Sequence, residues 1–208
     1  MISTGGECIW LSTEAVVDFL RQFGRGSQSK DYEIVASLFL AKFCEEQVGK
    51  KCDIGFPLKD SSSKEVYAKS SITIEEIAGI LRKKVDEDTP VDVIITAEAN
   101  VFSRRRNGLT FQLKRFGKGQ KDGTDSLINY LNKDIKQKYA PAPRVSLVLF
   151  MECTEMDTRR VREEFVSEKF PFEKVMFIAL STDKKFQIGE FWPNEGMTEW
   201  DVCAHIGS

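Results

Sequence analysis

The stretch LTFQLKRF at residues 109–116 decides the fold, because its polar and apolar side chains alternate. Successive side chains of a β-strand point to opposite faces, so Gln112 and Lys114 share one face. Phe111 and Leu113 share the other face. The pattern therefore predicts a strand with a polar pair on one side and an apolar pair on the other.

A second strand is predicted earlier in the chain, at VDVII in residues 91–95, which is apolar apart from Asp92. Between the two strands, residues 103–108 end in Asn-Gly, a strong signal for a β-hairpin turn. Adjacent strands would bring Asp92 together with Gln112 and Lys114. Because a buried charge is costly unless it is paired or binds a metal, the pattern predicts a small metal-capable site.

The rest of the chain alternates helical and strand patterns. We predict helices at residues 12–23, 31–48, 73–85, 125–139 and 157–169, and further strands at residues 144–153, 174–181 and 184–191, the last at a sheet edge. Residues 52–58 fit either a short strand or a loop. Gly49 ends the second helix, and the Ala-Pro-Ala-Pro run at residues 140–143 ends the fourth. We expect a helical appendage at residues 1–26 and an α/β domain at residues 27–208.

Composition bounds the function classes. The 208 residues are 41% hydrophobic and 30% charged, which is typical of a globular protein. The formal net charge is −2, so nucleic-acid binding would need a local basic patch. The N-terminus lacks the pattern of a signal peptide, and the longest apolar run, residues 145–151, is too short to span a membrane. We therefore expect no membrane association.

Cysteine and histidine usage excludes several kinds of site. The five cysteines form no CxxC pair, so a zinc ribbon is not expected and they fit free thiols in a reducing, cytoplasmic environment. His205 is the only histidine, which excludes a histidine-rich metal site. A Ser-His-Asp triad would depend on this one residue near the C-terminus.

The order of helix, Asp-bearing strand, Gln-x-Lys strand, helix and strand resembles the PD-(D/E)XK nuclease superfamily over residues 31–181. Asp92 matches the strand aspartate of that family, and Gln112-Leu113-Lys114 matches its acid-x-Lys motif. Gln stands where the family has an acid, a variant similar to the Mrr-like branch. The helix acid matches Glu33 best, with Glu76 as a competitor.

The resemblance implies an α/β fold of the restriction-endonuclease-like type, with an αβββαβ core and a mixed central sheet flanked by helices. It implies a DNA endonuclease that uses Mg²⁺ or Mn²⁺, ions that prefer oxygen ligands. Asp92, the Gln112 amide oxygen and the Leu113 carbonyl would hold the ion. Glu33 would bind it directly or through water, and Lys114 would orient the attacking water.

Basic side chains on either side of the second strand are candidates for phosphate contacts. They are Arg104, Arg105, Arg106, Arg115, Lys118 and Lys121. A solvated turn explains them equally well. The resemblance also suggests a homodimer or a partner protein that contributes to target choice, although no interface can be read from the sequence.

Two further interpretations stay open. The chain could be an inactive nuclease-like domain that binds nucleic acid or a protein partner, since Gln112 removes one negative charge from the metal site. Alternatively, Gln112 and Lys114 could form the solvated face of an amphipathic strand, with Asp92 a residue at a strand start.

Overall fold

The computed structural model describes residues 8–12, 31–57, 65–67, 91–98, 107–116, 123–151, 157–180, 186–194 and 196–200. The chain divides into two units, Met1–Phe111 and Gln112–Ser208. The division falls inside the strand that carries the Gln-x-Lys motif. Both units combine helices with a mixed β-sheet, as predicted for an α/β protein.

The first unit contains one described helix and a sheet. Its elements are β1 (Cys8–Ser12), α1 (Asp31–Val48), β2 (Asp53–Pro57), β3 (Glu65–Tyr67), β4 (Val93–Thr96) and the start of β5 (Leu109–Phe116). The strand order is β3-β1-β2-β4-β5. The pairing of β1 with β3 is parallel and the other pairings are antiparallel, so this sheet is mixed.

Helix α1 has the predicted bounds and contacts β2 and β4. Gly49 ends it with a φ of +66°, a left-handed conformation that glycine adopts without steric cost. The Gly49 N–H donates to the Glu45 carbonyl at 2.8 Å. The Glu45 carboxylate in turn accepts the Cys52 N–H at 2.9 Å, which fixes the short connection from α1 into β2.

Strand β1 corrects part of the predicted helical appendage. Cys8–Ser12 pairs with β2 over five residues, so this segment belongs to the sheet. Its residues Ile9, Trp10 and Leu11 are β-branched, aromatic or apolar and fit a pleated surface. The rest of the helix predicted at residues 12–23, the domain boundary at residues 26 and 27, and the helix at residues 73–85 lie outside the described residues.

The second unit starts with the end of β5. A helical run follows, made of α2 (Gly123–Asn129), a π-helical segment (Tyr130–Ile135) and α3 (Lys136–Lys138). The remaining elements are β6 (Ala142–Met151), α4 (Thr158–Glu164), β7 (Phe172–Leu180), β8 (Phe186–Trp192) and β9 (Gly196–Trp200). The order is β5-β6-β7-β8-β9, with β6 and β7 parallel and β7, β8 and β9 antiparallel.

The core of the second unit lies between its helices and the sheet. Leu127 and Leu131 of the helical run, together with Val161 of α4, line a small apolar cavity over strands β6, β7 and β8. Five consecutive residues of β6, at positions 145–149, are buried. Continuous burial on both faces is typical of strands with a parallel neighbour.

Three predicted elements of this unit need correction. Helix α4 ends at Glu164, because the next residue, Phe165, is in an extended conformation. Strand β8 is not an edge strand, since β9 pairs with it over five residues. The helix predicted at residues 125–139 contains a π-helical segment. In the described part of the chain, no helix is long and apolar enough to cross a membrane.

Candidate functional site

Asp92 lies at the entrance to β4 in the first unit. Its N–H donates to the Phe111 carbonyl at 2.9 Å. The next residue, Val93, is paired with Phe111 in the antiparallel ladder of β4 and β5. The predicted pairing of these two strands is therefore confirmed, and the Asp92 side chain is half-buried.

Gln112 is buried, with 1% of its surface exposed. Its neighbours Phe111 and Leu113 are 3% and 1% exposed, so both faces of β5 are covered at this point. The interpretation of Gln112 as part of a solvated strand face is therefore wrong. A buried amide is an unusual choice for a sheet interior, because polar groups cost free energy when they leave water.

The Gln112 amide nitrogen Nε2 is the donor in a long contact of 3.5 Å with the carbonyl oxygen of Leu113. This distance is at the outer limit of a hydrogen bond, so the contact is weak. The two oxygens assigned to a metal by the family resemblance are the amide oxygen of Gln112 and this same carbonyl. Rotation of the Gln112 amide by 180° would exchange its nitrogen and oxygen atoms. The amide oxygen and the Leu113 carbonyl oxygen are both hard donors suited to Mg²⁺ or Mn²⁺.

Lys114, the last residue of the motif, is half-buried. Its Nζ atom lies 5.7 Å from the centroid of the Tyr139 ring. The Nζ atom of Lys138 lies 5.6 Å from the same centroid. Both distances are within the range of a cation–π interaction. The Tyr139 ring is itself packed against Phe172, with the ring centroids 5.2 Å apart.

The remaining predicted site residues are placed unevenly. Glu33 is in the first turn of α1, and its side chain lies outside the described part. Glu33 and Asp92 belong to the first unit, whereas Gln112, Leu113 and Lys114 belong to the second. Arg115 is on β5 and half-buried. Outside the described residues lie Glu76, Arg104, Arg105, Arg106, Lys118 and Lys121.

The described residues offer no cluster of three or more histidine, cysteine, aspartate or glutamate side chains that could hold a metal. The two metal-binding oxygens that the resemblance assigns to the second unit are the amide oxygen of Gln112 and the main-chain carbonyl of Leu113. Neutral oxygens bind a divalent ion less tightly than carboxylates do, because they add no negative charge to the site.

Two free thiols, Cys44 and Cys52, lie near the connection of α1 and β2. Burial raises the pKa of the Cys44 thiol to about 12, with smaller contributions from Cys52 and Glu45. Burial, followed by Glu45 and Asp53, raises the pKa of Cys52 to about 11. Only the thiolate is nucleophilic, so burial disfavours the nucleophilic form of both cysteines.

Sequence reasoning missed the ring of Tyr139 as a neighbour of Lys114 and of Lys138. Tyr139 follows the last helical turn in an extended conformation, directly before the Pro-rich stop at residues 140–143. The Pro-rich stop can be recognised in the sequence, and it determines where the helix ends. The contact with Lys114 depends on how β5 packs in the second unit, which no local pattern encodes.

Comparisons of the chain with protein-family models, with curated proteins and with solved structures give no match. The resemblance to the PD-(D/E)XK superfamily therefore depends on the motif and the order of elements.

Proposed function

We propose that this protein is a metal-dependent DNA endonuclease of the restriction-endonuclease-like fold. The observation that carries the proposal is the buried Gln112, 1% exposed and two residues before the half-buried Lys114 on β5. A buried amide followed by a lysine on the same strand face is costly as mere structure. It is the expected arrangement if the two side chains serve a reaction centre.

The proposal requires Asp92 to act together with the Gln112 amide oxygen and the Leu113 carbonyl as ligands. Within the first unit, the Asp92 N–H donates to the carbonyl of Phe111, the residue that precedes Gln112 in the chain. Glu33 is the proposed fourth contributor. The bound Mg²⁺ or Mn²⁺ would supply a Lewis acid that stabilises negative charge on the scissile phosphate.

Lys114 has a separate role in the proposal. Its ammonium group donates hydrogen bonds to the attacking water and offsets charge that develops on the phosphate. The proposed phosphate contacts of Arg104, Arg105, Arg106, Arg115, Lys118 and Lys121 would hold the DNA backbone without reading its sequence. DNA is thus the proposed partner, and a homodimer or partner protein is the proposed means of target choice.

The test is cleavage of supercoiled, linear and single-stranded DNA with Mg²⁺ or Mn²⁺. We expect Lys114→Ala to lower the cleavage rate by roughly 100-fold or more, the usual effect of removing a donor that stabilises charge developing in the transition state. Lys133→Ala is the matched control, because Lys133 is an exposed lysine of the same unit. Equal rates for Lys114→Ala and the parent protein would overturn the proposal.

The second candidate is a nuclease-like domain that binds nucleic acid or a protein without cutting. Gln112 favours it, since an amide in the place of a carboxylate removes one negative charge from the metal site. A folded protein that binds DNA but cuts none of the three substrates with either metal would select this alternative.

A further inference from the structure

The Tyr139 ring is a fixed platform in the second unit. The ring packs against Phe172 with 5.2 Å between centroids, and the Tyr139 N–H donates to the Ile135 carbonyl at 3.1 Å. Tyr139 stands where α3 ends, and its extended backbone turns the chain away from the helix. These contacts hold both the main chain and the ring.

Two ammonium groups meet this ring from different elements. Lys114 reaches it from β5 and Lys138 from α3, with Nζ-to-centroid distances of 5.7 Å and 5.6 Å. The two groups cannot be further apart than the sum of these distances. Two positive charges therefore share one ring, and both attract a negatively charged ligand.

Neither ammonium group makes an ion pair with a carboxylate within the described part of the chain. Lys138 is exposed and Lys114 is half-buried, so both remain accessible to a ligand. The aromatic ring stabilises each cation in part through its quadrupole but adds no negative charge. A negatively charged ligand would supply the compensating charge that the ring does not.

We propose that Lys114 and Lys138, gathered on the Tyr139 ring, form a binding site for the phosphodiester backbone of nucleic acid. The inference depends on the proposed nuclease function for the role of Lys114, and it adds Lys138 as a substrate-binding residue and Tyr139 as a positioning residue. B-DNA carries about one phosphate per 3.4 Å of helix axis on each strand, so both lysines can contact phosphates of one strand.

The test is binding of a fluorescein-labelled DNA duplex with all divalent metal chelated, so that cleavage cannot interfere. We expect Lys138→Gln to weaken binding by about fivefold and to lower the slope of log affinity against log salt by about 0.9, the value for one lost phosphate contact. Lys133→Gln, which removes the same charge from an exposed lysine of the same helical run, should change neither quantity.

The role of the ring is tested separately. Tyr139→Phe keeps the ring and should bind the duplex as the parent protein does. Tyr139→Leu removes the ring face and should weaken binding by about threefold. The chemical shifts of the Lys114 and Lys138 ε-methylene protons, which respond to a nearby ring, report the contact without any DNA. They should change in Tyr139→Leu and not in Tyr139→Phe.

The outcomes separate this inference from the proposed function. If the parent protein binds DNA and Lys138→Gln matches Lys133→Gln in affinity and salt slope, the phosphate site is wrong and the endonuclease proposal stands. If Lys138→Gln weakens binding but no metal supports cleavage, the phosphate site stands and the endonuclease proposal is wrong. A parent protein that binds no duplex overturns the phosphate site, and the cleavage test with Mg²⁺ or Mn²⁺ then decides the endonuclease proposal on its own.

Discussion

Two sets of basic side chains in the second unit differ in what surrounds them. Arg160 of α4 makes ion pairs with Glu164 at 2.7 Å and with Asp125 at 2.6 Å, so acidic side chains compensate its charge. Lys114 and Lys138 instead share the ring of Tyr139. The sequence presents all of them as ordinary basic residues.

The difference indicates which cations are available to a ligand. An arginine that already pairs with two carboxylates would have to exchange them for a phosphate, so it would add little to the free energy of binding. A lysine on an aromatic ring is attracted by the ring face but has no opposite charge beside it. Clusters of basic residues are therefore better judged by their acidic neighbours than by their number. The predictions below test this difference, from the largest expected effect to the smallest.

The variant Gln112→Glu places a carboxylate in the strand that carries Lys114. Burial raises the pKa of such a carboxyl above the value of about 4.3 that it has in the unfolded chain. Since the folded state then binds more protons, stability should fall as the pH rises from about 4 through the raised pKa. At pH 7.5 we expect a loss of about 3 kcal/mol in the free energy of unfolding without metal.

Mg²⁺ should restore most of that stability if position 112 is a metal ligand, because the ion compensates the buried charge. Thermal melting with and without Mg²⁺ measures this effect. Gln137→Glu is the control, since Gln137 is exposed in the same unit and should give no metal response. If the melting temperature of Gln112→Glu is the same with and without Mg²⁺, position 112 does not bind a metal.

The side chain of Asn132 represents polar groups whose hydrogen bonds are made within the second unit. Its Nδ2 donates to the Glu164 carbonyl at 2.9 Å, and its Oδ1 accepts the Val166 N–H at 2.9 Å. Asn132→Ala removes both bonds, and we expect it to lower the free energy of unfolding by about 2 kcal/mol. Urea denaturation measures the change, with Asn129→Ala as the control because Asn129 is exposed on the same helical run.

An equal loss in the two asparagine variants would show that the pair of hydrogen bonds contributes nothing to stability. DNA affinity should be unchanged in both, since neither residue is part of the proposed phosphate site.

Arg160→Gln should have the smallest effect. It removes one positive charge, as Lys138→Gln does, but from a side chain whose partners are exposed carboxylates. Exposed ion pairs contribute little to stability and are screened by salt. We expect a melting temperature close to that of the parent protein and an unchanged affinity for the DNA duplex. A loss of affinity equal to that of Lys138→Gln would remove the distinction between the two sets of cations.

Much of the fold followed from local sequence signals. Helix α1 was predicted with its bounds and with Gly49 at its end, because apolar periodicity and the terminal glycine agree. The antiparallel pairing of β4 with β5 was predicted correctly, but Asn107 of the Asn-Gly signal is helical and the two strands are joined by residues 97–108 and not by a two-residue turn. The π-helical segment was missed because its wider turn adds a residue without changing the apolar pattern enough to be seen.

The sheet edges were harder to predict. Strands β1 and β9 are short. Strand β1 pairs with β2, which is distant in the sequence, and β9 pairs with β8 in a way that local propensity does not encode. At the candidate site, strand alternation correctly grouped Gln112 with Lys114 but could not decide whether their face is covered. Burial of Gln112 depends on the packing of neighbouring elements, so only the structure distinguishes a buried amide from a solvated one.

Strand β6 has a consequence for the motions of the second unit. It lies between β5 and β7 in the strand order, and positions 145–149 are all buried. Amides in such a strand exchange with solvent deuterium only when the surrounding structure opens as a whole, whereas terminal turns open locally. The exchange rates at Leu147 and Val148 therefore measure the free energy of global opening of this unit. A ligand on the Tyr139 ring should lower the logarithm of these rates in proportion to the free energy by which it stabilises the closed state.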